Sequence, residues 1–141
     1  MSDTTETDRV TEDALEIPLR ILAQYIKDLS FELPSGPEIF PVLRTATPEI
    51  PTTLDMSMRH IGGNTYEVVV SAHIQAIVGD KTAFILEVEY GAVVELHERL
   101  IPAEKIHPVL LVEVPRILFP FVRQIVADMT VNGGFPPLML Q

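Results

Sequence analysis

The chain has 141 residues, a formal net charge of -10 and no cysteine. This length fits one domain, the acid excess argues against the basic footprint that nucleic acid requires, and the missing cysteines exclude a disulfide framework and thiolate metal sites. No apolar run approaches the ~20 residues of a membrane-spanning helix, and Met1-Ser2-Asp3 opens no cationic-then-apolar leader, so the expectation is a cytoplasmic protein without an export signal or direct membrane insertion.

In chain order, residues 1–16 set Asp3, Glu6, Asp8, Glu12, Asp13 and Glu16 against Arg9 alone. So few apolar residues cannot offset the entropy of ordering, and this stretch reads as an acidic disordered tail. Residues 17–141 read as the single domain. Their apolar content lifts the mean hydropathy of the whole chain to +0.26. A small domain has much surface for its volume, so some apolar surface should remain after folding, as an interface or a partner groove.

From about Ile17 to Leu33 the pattern is strand-like: Leu29, Phe31 and Leu33 alternate with Asp28, Ser30 and Glu32. Pro34-Ser35-Gly36-Pro37 ends it, and a loop carrying Phe40, Pro41 and Leu43 follows. Leu54, Met56 and Met58 alternate with Asp55, Ser57 and Arg59 in a second strand, and Gly62-Gly63-Asn64 is a turn signal. A third strand over 65–78 puts Tyr66, Val68, Val70, Ala72, Ile74 and Ala76 on one face. A fourth, from Thr82 to about Leu96, puts Phe84, Leu86, Val88 and Tyr90 on one side. The period then changes. Pro102 to about Val112 predicts a short helix, and Pro115 suits the first turn of another, in which Ile117, Leu118, Phe121, Val122, Ile125, Val126 and Met129 recur at helical spacing. Pro120 should bend or loosen its first turns, and Asn132-Gly133-Gly134 should end it. Four strands followed by helices give an α+β fold: a four-stranded antiparallel sheet with C-terminal helices packed on one face. The open face would then carry Asp28, Ser30, Glu32, Glu87 and Glu89. Such a surface serves solubility or recognition of a cationic partner.

Catalytic signatures are missing. Gly62-Gly63 lacks the Lys-Ser/Thr of a phosphate-binding loop, and His60, His73, His97 and His107 have no metal-ligand spacing. His73 reads as a surface residue. His97 and Glu98, being adjacent on a strand, would point to opposite faces. No Ser–His–Asp set with a nucleophile elbow occurs. The expectation is a protein that is not an enzyme and uses no metal or cofactor.

Five segments carry a family resemblance: Ile26-Lys27-Asp28-Leu29-Ser30-Phe31-Glu32-x-Pro34; Tyr66-Glu67-Val68-Val69; Thr82-Ala83-Phe84-x-x-Glu87-Val88; Ile117-Leu118-Phe119-Pro120-Phe121-x-Arg123; and Gly134-Phe135-Pro136-Pro137-Leu138. In this order, over about Ile21 to Leu140, they resemble the SecB family of bacterial protein-export chaperones. The resemblance implies a homotetramer, a dimer of dimers, that binds unfolded preproteins without ATP, keeps them export-competent and delivers them to the SecA ATPase. It implies client contact through Phe40, Leu43, Ile50, Leu54, Met56 and Met58. It implies docking of SecA's basic, zinc-bearing C-terminal tail at Asp28, Glu32, Ile85 and Glu87, and an oligomer interface at Phe84, Leu86, Val88 and Tyr90. Family members continue into a further C-terminal helix and an acidic tail, whereas this sequence stops at Gln141. Two other readings stay open at this stage: a SecB-like chaperone of an antitoxin, and a small α+β enzyme or ligand carrier. The last predicts an enclosed pocket with converging polar groups, the chaperone an elongated apolar groove.

Overall fold

β-Branched and aromatic residues at every second position build the centre of the molecule. The structure, a computed structural model, describes residues 18–141, so the predicted acidic tail over 1–16 lies outside the described residues. Strands β1 (Leu19–Glu32), β2 (Thr52–Gly62), β3 (Thr65–Val78) and β4 (Lys81–Leu96) form one antiparallel sheet in the order β1-β4-β3-β2. β1 and β2 are therefore its two edges. The pairing Phe31↔Leu86 and Leu29↔Val88 sets the apolar residues of β1 and β4 on one face, and Ile74↔Leu86 and Ala72↔Val88 add β3 to it. Register shifts between Ile21 and Ala23, and between Ile26 and Asp28, let β1 follow the twist of β4.

The segment predicted as a loop after Pro34 is instead a 3-10 turn (Gly36–Glu38) followed by a short helix α1 (Ile39–Leu43). Ile39 is its anchor, at 1% exposure. One and a half turns are too few for a period to show in sequence.

The C-terminal helical region differs in detail from expectation. α2 (Ala103–Pro108) passes through a single π-helical turn (Val109–Glu113) into α3 (Val114–Asn132). The path loosens ahead of Pro115, and α3 stays helical through Pro120. Pro108 and Pro115 bracket this stretch, and proline withholds an N–H from the regular ladder. The wider turn bonds the Val114 N–H to the Val109 carbonyl five residues back. Val114, Leu118, Val122 and Val126, all at 0% exposure, form the stripe of α3 that lies on β3 and β4. After Gly134, at φ +94°, the chain reverses along α3. Thr130, fully buried, fastens this return: its hydroxyl donates to the Ala127 carbonyl at 2.9 Å and accepts from the Leu138 N–H at 3.0 Å. Arg123 Nε donates to the Leu140 carbonyl at 2.9 Å.

Candidate functional site

Three surfaces follow from this architecture. The first is a groove of about 260 Å³ at one end of the sheet. Leu43 and Ile50 form one side, and Phe135, Pro136 and Leu138 of the returning chain form the other. Phe84 lies at its base as the hub of an aromatic cluster: Phe31 stacks on it at 5.4 Å, Phe135 meets it edge-on at 4.9 Å, and Phe40 packs on Phe135 at 5.3 Å.

The second is a larger groove, about 550 Å³, between β2 and the helical layer. Leu54↔Ala72, Met56↔Val70 and Met58↔Val68 place these β2 side chains on the helix-bearing side of the sheet. α3, however, lies over β3 and β4 and leaves the outer strand uncovered. Leu54 and Met56 consequently stay 39% and 45% exposed, facing Leu111, Pro115 and Phe119 across the groove. Met58 is half-buried against the core. The six client-contact candidates thus divide. Leu43 and Ile50 line the first groove, Leu54 and Met56 line the second, and Phe40 and Met58 support them from the core side. The alternation in β2 pointed to its residues. The helical and returning-chain walls carried no comparable signal, although Phe119 and Phe135 lie within segments that resemble the family.

The third surface is the face that bears no helix. Strand register arranges it as a grid. Asp28, Glu89, Ser71 and Asp55 form one row across β1, β4, β3 and β2, and Ser30, Glu87, His73 and Thr53 form the next. Glu32, Ile85 and Gln75 begin a third. Asp28, Glu32, Ile85 and Glu87, named from the resemblance, therefore share this face within three rows. Glu87 accepts from His73 Nδ1 at 2.8 Å.

The opposite end of the same face holds a cluster that was not anticipated. Glu67 on β3, with its side chain only 7% exposed, accepts from Tyr25 Oη at 2.6 Å, Lys27 Nζ at 2.9 Å and Arg59 Nε at 2.8 Å. Tyr25 reaches it by lying across β4 at Gly91, where a Cβ would sit 2.8 Å from the ring. The hydrogen bonds from Tyr25 and Lys27, assisted by Arg59, outweigh burial and hold the Glu67 carboxyl down at about 2. Burial, then the adjacent carboxylate, pushes the Tyr25 phenol up to about 12. The cluster links both edge strands across the sheet. Alternation put these side chains on one face, but only the register reveals that they meet.

Phe84, Leu86, Val88 and Tyr90, assigned to an oligomer interface by the resemblance, lie within the core of the protomer. Their exposures are 3%, 0%, 1% and 8%, under α3 within the protomer itself. Side chains enclosed in this way have almost no surface left to touch a second copy. Exposed apolar side chains lie beside them instead: Phe121 stacks on Tyr90 at 5.7 Å and is 46% exposed, and Ile26, paired with Tyr90, is 49% exposed.

Among the described residues no helix is long and apolar enough to cross a membrane. The molecule thus combines two apolar grooves with a charged sheet face that bears no helix. Comparisons with known proteins assign this architecture to a family. The family described as "Preprotein translocase subunit SecB" matches residues 12–141. The protein-export protein SecB of Paramagnetospirillum magneticum is 51% identical over 123 residues, covering 87% of this chain and 77% of that protein. The SecB of Rhodospirillum rubrum is 47% identical over 141 residues, covering 100% and 83%. Among solved structures, a SecB-like chaperone of Mycobacterium tuberculosis, in complex with a ChAD peptide from an antitoxin, superposes with a TM-score of 0.69 at 14% identity, covering 88% of this chain and 89% of that one. The chain belongs to the SecB family of protein-export chaperones.

Proposed function

We propose that the protein is an ATP-independent holdase that binds unfolded preproteins in its two grooves and passes them to the SecA ATPase from its acidic face. The observation that carries this reading is the uncovered β2 strand. Leu54 and Met56 stand exposed beside the buried Val70, in an open groove rather than an enclosed pocket. A thioether side chain adapts to many shapes, which suits clients of unrelated sequence. Burial of several client side chains at roughly 1.5–3 kcal/mol each, less the cost of ordering the chain, gives reversible capture. Binding the unfolded form alone slows folding by mass action, with no nucleotide and no catalytic step. The acidic grid supports docking of a basic tail through Asp28, Glu32 and Glu87, with Ile85 as the apolar contact among them.

A homotetrameric, cytoplasmic assembly belongs to the same reading. It is supported by the large apolar side chains left exposed on β1 and α3, namely Leu22, Ile26, Ile117 and Phe121. Family membership and the high identity to export chaperones favour this role over that of an antitoxin chaperone. The test is refolding of a denatured, slow-folding preprotein at equimolar chaperone without nucleotide, read beside the mass by light scattering. Strong slowing by a tetramer is expected. Unhindered refolding would overturn the holdase reading, and a monomeric mass the assembly.

A further inference from the structure

His73 sits at the centre of the acidic grid. Glu87 stands opposite it on β4, with Glu89 and Ile85 on the diagonals; Thr53 stands opposite on β2, with Asp55 on the diagonal. Its own strand offers Ser71 and Gln75, and Asp28 on β1 lines the same depression. No lysine or arginine borders this depression, so His73 is the only basic side chain among the groups that line it. The imidazole spans two partners. Nδ1 lies 2.8 Å from Glu87 Oε1, and Nε2 lies 3.1 Å from the Gln75 amide nitrogen. In the neutral ring, Nδ1–H donates to Glu87 while Nε2 accepts from Gln75. In the protonated ring both nitrogens donate, Glu87 gains a full counter-ion, and Gln75 need only turn its amide.

We propose that His73 is a built-in competitor for cations at this surface, so that an extended lysine- and arginine-bearing segment docks by taking Glu87 from it. This rests on the docking role given to the acidic face above. The surface such a segment meets is wider than the four residues named from the resemblance, since it runs on to Glu89 and to Asp55 on the far edge strand. His73 is a specificity-determining residue here. When it is neutral, the guest displaces only a hydrogen bond. When it is protonated, the guest must displace a charge already paired with Glu87. Docking and protonation of His73 therefore oppose each other, and affinity is higher where the ring is neutral.

The test is calorimetric titration of the full chain with a synthetic peptide of lysines and arginines without histidine, at fixed ionic strength. The wild-type protein should bind about twofold to fivefold tighter in neutral than in mildly acidic buffer, the span of an exposed ion pair. His73→Gln should bind with the high-pH affinity throughout, and His73→Lys should bind weakly throughout. A flat wild-type profile, or the same slope kept in His73→Gln, overturns the competitor role while leaving docking intact. A peptide that fails to bind the wild type, or binds Glu87→Lys equally well, overturns docking itself and the competitor role with it.

Discussion

The two faces of the one sheet are made by the same alternation but are stabilised differently. On the helix-bearing face, Val68, Val70 and Ile74 of β3 and Leu86, Val88 and Val94 of β4 are closed off by the α3 stripe, and burial of apolar area holds them. On the free face only Glu67 is a buried charged side chain among the described residues, and it is satisfied by three donors. One face is specified by packing and the other by a pairing of charges. β2 is where the two regimes meet, because its apolar side points toward the helical layer without being covered by it. A groove arises where the sheet is one strand wider than the helix laid on it.

This contrast can be broken at graded points. Leu86→Ala leaves a cavity under α3 and should lower protomer stability by about 2–5 kcal/mol in urea denaturation. A variant of unchanged stability that only alters oligomer mass would return this position to an interface. Glu67→Gln should cost about 2–3 kcal/mol at neutral pH, through the lost charge-assisted hydrogen bonds. The sign of its pH dependence is fixed. The folded carboxyl titrates at about 2 and the free one near 4.5, so its stabilisation is present above pH 4.5 and disappears as pH falls toward 2. The difference between wild type and Glu67→Gln should accordingly vanish in acid, and a pH-independent difference would reject the charge-pairing account. Gly91→Ala should have a similar but smaller effect, about 1–2 kcal/mol, since Tyr25 must lift off β4 and release Glu67. Glu87→Lys should leave urea stability within about 0.5 kcal/mol, as expected of an exposed substitution, while weakening the docking of a basic peptide about tenfold at low salt.

Much of this was legible in the sequence. Period-two alternation gave the four strands to within about three residues at their ends, and it put Asp28, Glu32 and Glu87 on the face away from the helices. The helical period in α3 marked Leu118, Val122 and Val126. What stayed hidden depended on lateral placement. Alternation and the helices that follow put Leu86 and Tyr90 on the covered side, but do not show how completely α3 encloses them. Nor do they show that Tyr25 crosses Gly91 to reach Glu67, or that the returning chain at Phe135 and Leu138 becomes a groove wall. Each of these is a contact between segments far apart in the chain, set by strand order and helix length. Ile39 escaped notice because a five-residue helix has no measurable period.

The central claim is a division of labour, with capture in the grooves and hand-over at the acidic face. The most direct measurement compares refolding arrest of one denatured preprotein by wild type, by the double variant Leu54→Ser and Met56→Ser, and by Glu87→Lys, all without nucleotide. The double variant should lose most of the arrest, and Glu87→Lys should retain it in full. Arrest that survives the double variant, or is abolished by Glu87→Lys, would contradict the division.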